Sequence, residues 1–196
     1  VFVNRFDAKT GKIAPNSPAF GVGPEGEGQA RSPRHLVFHP KLPIAYTTNE
    51  RELPGVGVWN WDIEKGTIET IQNIVTQPKD FAGRISTADL HLTPDAKFLY
   101  VSNRNIVDPK TGEGNSSIVG FRVEESSGAL SLIGHTPCEN VPRSFCLDPQ
   151  GRFMYVAGQR ENKLGVYSID PETGKLSKVE QLETGKGPIW VEAIEL

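Results

Sequence analysis

One unit recurs three times in this chain, at intervals of 54 and 55 residues. The first copy runs His35-Leu-Val-Phe-His-Pro40, then Ile44-Ala-Tyr46-Thr-Thr-Asn49. The second runs Asp89-Leu-His-Leu-Thr-Pro94, then Phe98-Leu-Tyr100-Val-Ser-Asn103. The third runs Ser144-Phe-Cys-Leu-Asp-Pro149, then Phe153-Met-Tyr155-Val-Ala-Gly158. Each reads as a strand, a turn built on proline, and a second strand. A further hairpin follows each copy: Val56 to Ile68 through Gly66, Ile118 to Leu130 through Gly128, and Leu164 to Leu176 through Gly174. Apolar and polar residues alternate with period two in these stretches, and β-branched and aromatic residues are common. No stretch has helical periodicity. Repetition at this interval constrains the fold more than any single motif.

Four strands per repeat make a blade of a β-propeller. The expected fold is therefore all-β, with blades of four antiparallel strands. The same outer hairpin opens the chain at Val1 to Ile13, so residues 1–30 read as half a blade. Full blades are expected at about 31–84, 85–140 and 141–185. A closing strand is expected within 186–196, at Ile189-Trp-Val-Glu-Ala-Ile194. Three and a half blades cannot close a ring, and an open ring leaves strand edges unpaired. The expected partner is an N-terminal half of the same protein, or a second chain, to complete the propeller.

Composition narrows the function classes. Glycine and proline together form about 18% of the chain, which suits many short strands and turns. A net charge of −3 argues against nucleic acid, which calls for a clustered basic surface. No apolar run approaches the roughly 20 residues of a membrane span. No signal peptide is evident, and the expected location is the cytoplasm, although the chain opens at Val1 without a methionine and an upstream leader stays open. Cys138 and Cys146 lack metal-type spacing and read as reduced, structural thiols. No metal or cofactor motif is present. Asn115-Ser116-Ser117 matches a glycosylation acceptor that matters only in a secreted protein.

Positions that build the sheet should repeat from blade to blade, while positions that build a site should be polar and different. The innermost strands of a propeller converge on a channel, and loops at one rim line a shared pocket. After the inner hairpin the three blades carry Glu50, Arg104 and Gln159. Entering the first strand they carry Pro33-Arg34-His35, Thr87-Ala88-Asp89 and Pro142-Arg143-Ser144. A lone loop arginine or glutamate is ordinarily a solvated surface group. Arg34, Glu50 and Arg104 recurring at the rim register form a candidate site. Guanidiniums bind phosphate or carboxylate, and a carboxylate nearby can act as general base toward water or a C–H. His35, His91, Arg143, Gln159 and Trp190 are expected to shape the pocket, with His91 also readable as a structural group bonded between blades. His39 reads as a turn cap and His135 as solvated. Trp59, Trp61, Phe121 and Tyr167 read as packing between blades.

Ser32-Pro-Arg-His-Leu-Val-Phe-His-Pro40, Leu99-Tyr-Val-Ser-Asn-Arg104, Val141-Pro-Arg-Ser-Phe145 and Gly185-Lys-Gly-Pro-Ile-Trp190 carry a resemblance. They resemble the seven-bladed propeller lactonases, in particular their bacterial 6-phosphogluconolactonase branch. That family also contains a fungal carboxymuconate lactonizing enzyme. The resemblance runs from about Val1 to Leu196 and covers the family's C-terminal half. It implies hydrolysis of 6-phospho-glucono-1,5-lactone in the pentose phosphate pathway. It also implies catalytic roles for Arg34, Glu50 and Arg104, with Glu50 activating water. The family's catalytic histidine lies in an earlier blade, outside this sequence. A cycloisomerase or lactonase acting on a carboxylated substrate, and a non-catalytic interaction platform, are the alternatives.

Overall fold

The computed structural model describes residues 1–21, 32–51, 54–78, 85–105 and 116–195. The Gly-rich stretch after Gly21, the loop after Asn105 and the acceptor Asn115 lie outside the described residues. Fourteen strands and no helix are present among the described residues. β1 (Phe2–Phe6) and β2 (Ile13–Phe20) form a two-stranded sheet. β3 (Pro33–Phe38), β4 (Ile44–Asn49), β5 (Gly55–Asp62) and β6 (Thr67–Val75) form the first four-stranded blade. β7 (Ile85–Leu92), β8 (Phe98–Asn105), β9 (Ser117–Val123) and β10 (Leu130–Pro137) form the second. β11 (Pro142–Leu147), β12 (Phe153–Gly158), β13 (Lys163–Ile169) and β14 (Leu176–Glu183) form the third. Pairing within each blade is antiparallel, in the order of the sequence.

The outer hairpins share one local solution. Asp7, Asp62, Glu124 and Asp170 each accept backbone N–H groups two and three residues on. The turn then ends on Gly11, Gly66, Gly128 or Gly174, all in the left-handed region with φ of 63–70°. A side chain is disfavoured there, which is why the glycine recurs. The inner turns use a different cap. The His39 Nδ1 accepts the N–H groups of Lys41 and Leu42, as its turn position implies.

The cores lie between blades rather than within them. Ile44, Tyr46, Val56 and Val58 of the first blade meet Leu90, Leu99, Val101, Val119 and Phe121 of the second. Phe98, Tyr100 and Ile118 meet Phe145, Met154, Val156 and Tyr167 of the third. Both of these seams carry a buried tyrosine hydroxyl bond at the same register. The Tyr46 hydroxyl donates to the Gly128 carbonyl, and the Tyr100 hydroxyl to the Gly174 carbonyl, both at 2.8 Å. At the seam with the two-stranded sheet, the Asn16 Nδ2 takes this place and donates to the Gly66 carbonyl at 2.5 Å.

Some packing differs from expectation. Phe121 and Tyr167 do pack between blades, but Trp61 meets Phe38 of its own blade in a tilted contact at 5.1 Å, and the Trp59 indole donates to Thr47 of its own sheet. His135 is half-buried rather than solvated, because its Nε2 reaches the Thr76 carbonyl across the seam. The segment expected as a closing strand, Ile189 to Ile194, forms no strand. Its contacts run to β11, from the Val191 N–H to the Ser144 hydroxyl and from the Ala193 backbone to the Cys146 thiol.

Candidate active site

The innermost strands β3, β7 and β11 lie side by side. Residues at one register of the repeat therefore become neighbours across a seam. Each inner ladder is also interrupted at the same place. The register of β3 on β4 shifts between Pro33 and Leu36, that of β7 on β8 between Thr87 and Leu90, and that of β11 on β12 between Pro142 and Ser144. Such a bulge re-aims the side chains it contains. Those side chains include Arg34, His35, Ala88, Asp89 and Arg143.

Two contacts follow directly from the repeat interval. Glu50 and Arg104 occupy equivalent positions, and the Arg104 guanidinium donates to the Glu50 carboxylate at 2.5 Å. The same nitrogen reaches the Ser86 hydroxyl at 2.8 Å and the Thr87 carbonyl at 3.3 Å. His35 and Asp89 are also equivalent, and the His35 Nδ1 lies 2.7 Å from Asp89 Oδ1. The other oxygen, Oδ2, accepts the Phe145 N–H from β11 and faces His91 Nε2 at 3.5 Å. The His91 ring meets Phe145 edge-on at 4.8 Å. His91 is thus held within its own strand by Asp89 and packs across the next seam.

The electrostatics set the character of the site. The Arg34 guanidinium is pushed below its ordinary value first by burial, then by Arg104 and Arg143, against the pull of Glu50 and Asp89. Arg104 and Arg143 are therefore both within electrostatic reach of Arg34, as are the carboxylates of Glu50 and Asp89. Arg34 Nε is buried and makes no hydrogen bond among the described residues. Burial alone would raise the Glu50 carboxyl, but the Arg104 hydrogen bond and the charges of Arg104, Arg34 and Arg51 hold it below the usual range. Burial would likewise raise Asp89, yet the hydrogen bonds and charges of His35 and His91 hold it well below. Both carboxylates are ionised at neutral pH.

Of the expected site residues, Arg34, His35, Glu50, His91, Arg104 and Arg143 lie in or beside this group. Gln159 and Trp190 do not join it. The Gln159 backbone N–H donates to Val141, and its side chain makes no bond to the cluster. Trp190 is 65% exposed, in the segment that forms no strand. Asp89 is the residue that the sequence comparison passed over. It is 3% exposed and stands where the other blades have His35 and Ser144. A carboxylate at a strand position that becomes buried must be paired, and that requirement was the available signal. Among the described residues, no three His, Cys, Asp or Glu side chains converge as a metal-binding set.

Comparison with known proteins bears on the family and the fold. The family model "Lactonase, 7-bladed beta-propeller" matches residues 1–193. The 6-phosphogluconolactonase of Cronobacter sakazakii is 36% identical over 181 residues, which is 92% of this chain and 50% of that protein. That of Pectobacterium carotovorum is 37% identical over 164 residues, 84% of this chain and 46% of that protein. The solved periplasmic gluconolactonase PpgL of Pseudomonas aeruginosa superposes with a TM-score of 0.81 at 30% identity, covering 95% of this chain and 48% of its own. The chain spans about half the length of the curated relatives it matches. With three antiparallel four-stranded blades and a family match along nearly its whole length, the chain belongs to the seven-bladed β-propeller lactonases.

Proposed function

We propose that this chain carries the anion-binding rim of a lactone hydrolase that opens 6-phospho-glucono-1,5-lactone to 6-phosphogluconate in the pentose phosphate pathway. The observation that supports it most is that Arg104 and Arg143 act on Arg34, whose buried Nε has no hydrogen-bond partner among the described residues. A buried donor without an acceptor costs about 1–3 kcal/mol, and an anionic oxygen relieves that cost. Guanidiniums also stabilise the oxyanion that forms when water adds to the lactone carbonyl. Glu50, bonded to Arg104, serves here to hold that guanidinium in place. Arg34, Arg143 and Arg104 take the phosphate and the developing oxyanion between them. The cytoplasmic location belongs to the same reading.

The test compares the phospholactone with unphosphorylated glucono-1,5-lactone and with a carboxylated muconolactone, each over its spontaneous rate. The phospholactone should give the highest kcat/KM. Arg34→Ala should raise its KM roughly 10- to 100-fold, the worth of one charge-assisted hydrogen bond of about 1.5–3 kcal/mol. Preference for the carboxylated lactone would move the same arginines to a carboxylate. Rates equal to buffer with all three would leave a non-catalytic platform.

A further inference from the structure

We propose that His35, backed by Asp89, is the group that takes the proton from the attacking water. The proposal rests on the lactone-hydrolysis reading and names a base for it within this chain, in place of Glu50. Four observations carry it. Asp89 is almost fully buried, while the His35 side chain is 31% exposed. An ionised carboxylate can only accept, so the 2.7 Å contact requires the hydrogen on His35 Nδ1. That leaves Nε2 with its lone pair, and no protein group among the described residues bonds to it. Asp89 is itself fixed by the N–H groups of Leu90 and Phe145, so the acceptor cannot swing away from the imidazole. This is a carboxylate–imidazole dyad on two adjacent inner strands, next to three guanidiniums.

Glu50 is less suited to the same task. Its carboxylate is engaged by Arg104 and stabilised in its charged form, which makes it a weak proton acceptor. An imidazole whose Nδ1–H is held by a carboxylate presents its Nε2 lone pair to a water.

The chemistry balances as follows. The water oxygen bonds to the lactone carbonyl carbon as its proton passes to His35 Nε2, and the carbonyl electron pair moves to oxygen. The oxyanion then collapses, the bond from carbon to ring oxygen breaks, and His35 returns the proton to that oxygen. Lactone plus water gives the hydroxy acid, which ionises in solvent. His35 is bonded to Asp89, which also faces His91 on β7, and Arg34 beside it on β3 feels the charges of Asp89, Glu50 after β4, Arg104 on β8 and Arg143 on β11. Asp89 acts only through His35 and is a positioning residue.

The experiment measures kcat and KM for the phospholactone against pH, over the spontaneous rate, in the full chain and in the variants His35→Gln, Asp89→Asn, His91→Gln and Glu50→Gln. His35→Gln should lower kcat about 10²-fold or more, with KM little moved, and remove the acid limb of the profile. Asp89→Asn should lower kcat by less and move the acid limb to lower pH, because the imidazolium loses its anion. His91→Gln should keep the limb. Long-range 1H–15N spectra of the resting wild type should show neutral His35 as the Nδ1–H tautomer, which Asp89→Asn should disturb. This readout is independent of turnover and of whether His35→Gln folds. The dyad is overturned by an active wild type whose acid limb survives His35→Gln, or vanishes only in Glu50→Gln. A neutral His35 protonated on Nε2 overturns it as well. A wild type that never exceeds the spontaneous rate overturns the hydrolase reading and the dyad together.

Discussion

The hydroxyl bonds across the blade seams set a measurable part of the stability. Tyr46 is fully buried, and its hydroxyl donates at 2.8 Å to the carbonyl of Gly128, itself buried at the end of a left-handed turn. Tyr46→Phe keeps the ring and its place in the seam between Ile44, Leu99 and Phe121. What it removes is one donor, and what it leaves is a carbonyl in an apolar seam. Losing one partner of a buried pair costs about 1–3 kcal/mol, more than the net worth of a bond lost from both sides. For a chain of this size that corresponds to a fall in Tm of roughly 2–4 °C per kcal/mol, so about 4–8 °C for a mid-range loss of about 2 kcal/mol. Tyr100→Phe should behave alike, since its hydroxyl meets Gly174 in the same way in the next seam. The two seams are separate clusters, so the double variant should show nearly the sum. Tyr155 holds the same register in the third blade but makes no hydroxyl bond among the described residues, and Tyr155→Phe should change stability by less than about 0.5 kcal/mol. The measurements are thermal melts followed by near-ultraviolet circular dichroism and urea unfolding at fixed pH. If Tyr46→Phe and Tyr155→Phe prove equally stable, the seam bonds contribute nothing and the reasoning fails. Tyr46 also matters to the site, because the seam it closes is the one that brings His35 against Asp89.

Two further outcomes follow from buried charges. The Asp89 carboxyl is held well below its unfolded value near 3.9, so its contribution is complete above about pH 4 and is lost as the pH falls from there through the folded-state value. Asp89→Asn should therefore be less stable than wild type in urea at pH 7, with the gap closing on acidification below pH 4. A gap that stays constant to pH 2 would show that the histidine contacts are not its source. Glu139 is buried and bonded to Tyr167, Gln181 and Lys178, and a Cβ at Gly165 would overlap its carboxylate. Gly165→Ala should cost at least about 2–3 kcal/mol through overpacking and a displaced charge, read from its urea midpoint.

The blades were legible in the sequence because their cause is local. Alternation with period two, proline at Pro40, Pro94 and Pro149, and glycine closing each outer hairpin are properties of short segments. They survive without knowledge of how the segments meet. The repeat interval went further, since residues one interval apart become neighbours when blades stand side by side. Glu50 facing Arg104 is such a pair, and their opposite charges at one register were visible before any coordinates. His35 facing Asp89 is another, of which the sequence comparison marked only the histidine.

Tertiary structure decided what alternation cannot predict. The bulges at Arg34, Asp89 and Arg143 interrupt the period-two rule where the site lies, so side-chain direction there depends on ladder hydrogen bonds rather than on residue pattern. Trp190 reads as a pocket wall by its place after Gly-Pro, and it is exposed in a segment that forms no strand. His135 carries the same kind of difference, since a side chain's partner across a seam is set by the angle between sheets. The sequence by itself therefore determined a repeated four-stranded blade and a polar rim that varies between copies. Only the folded chain decided which rim residues touch, because Asp89 joins His35, His91 and Phe145 from three blades through distances that no local pattern encodes.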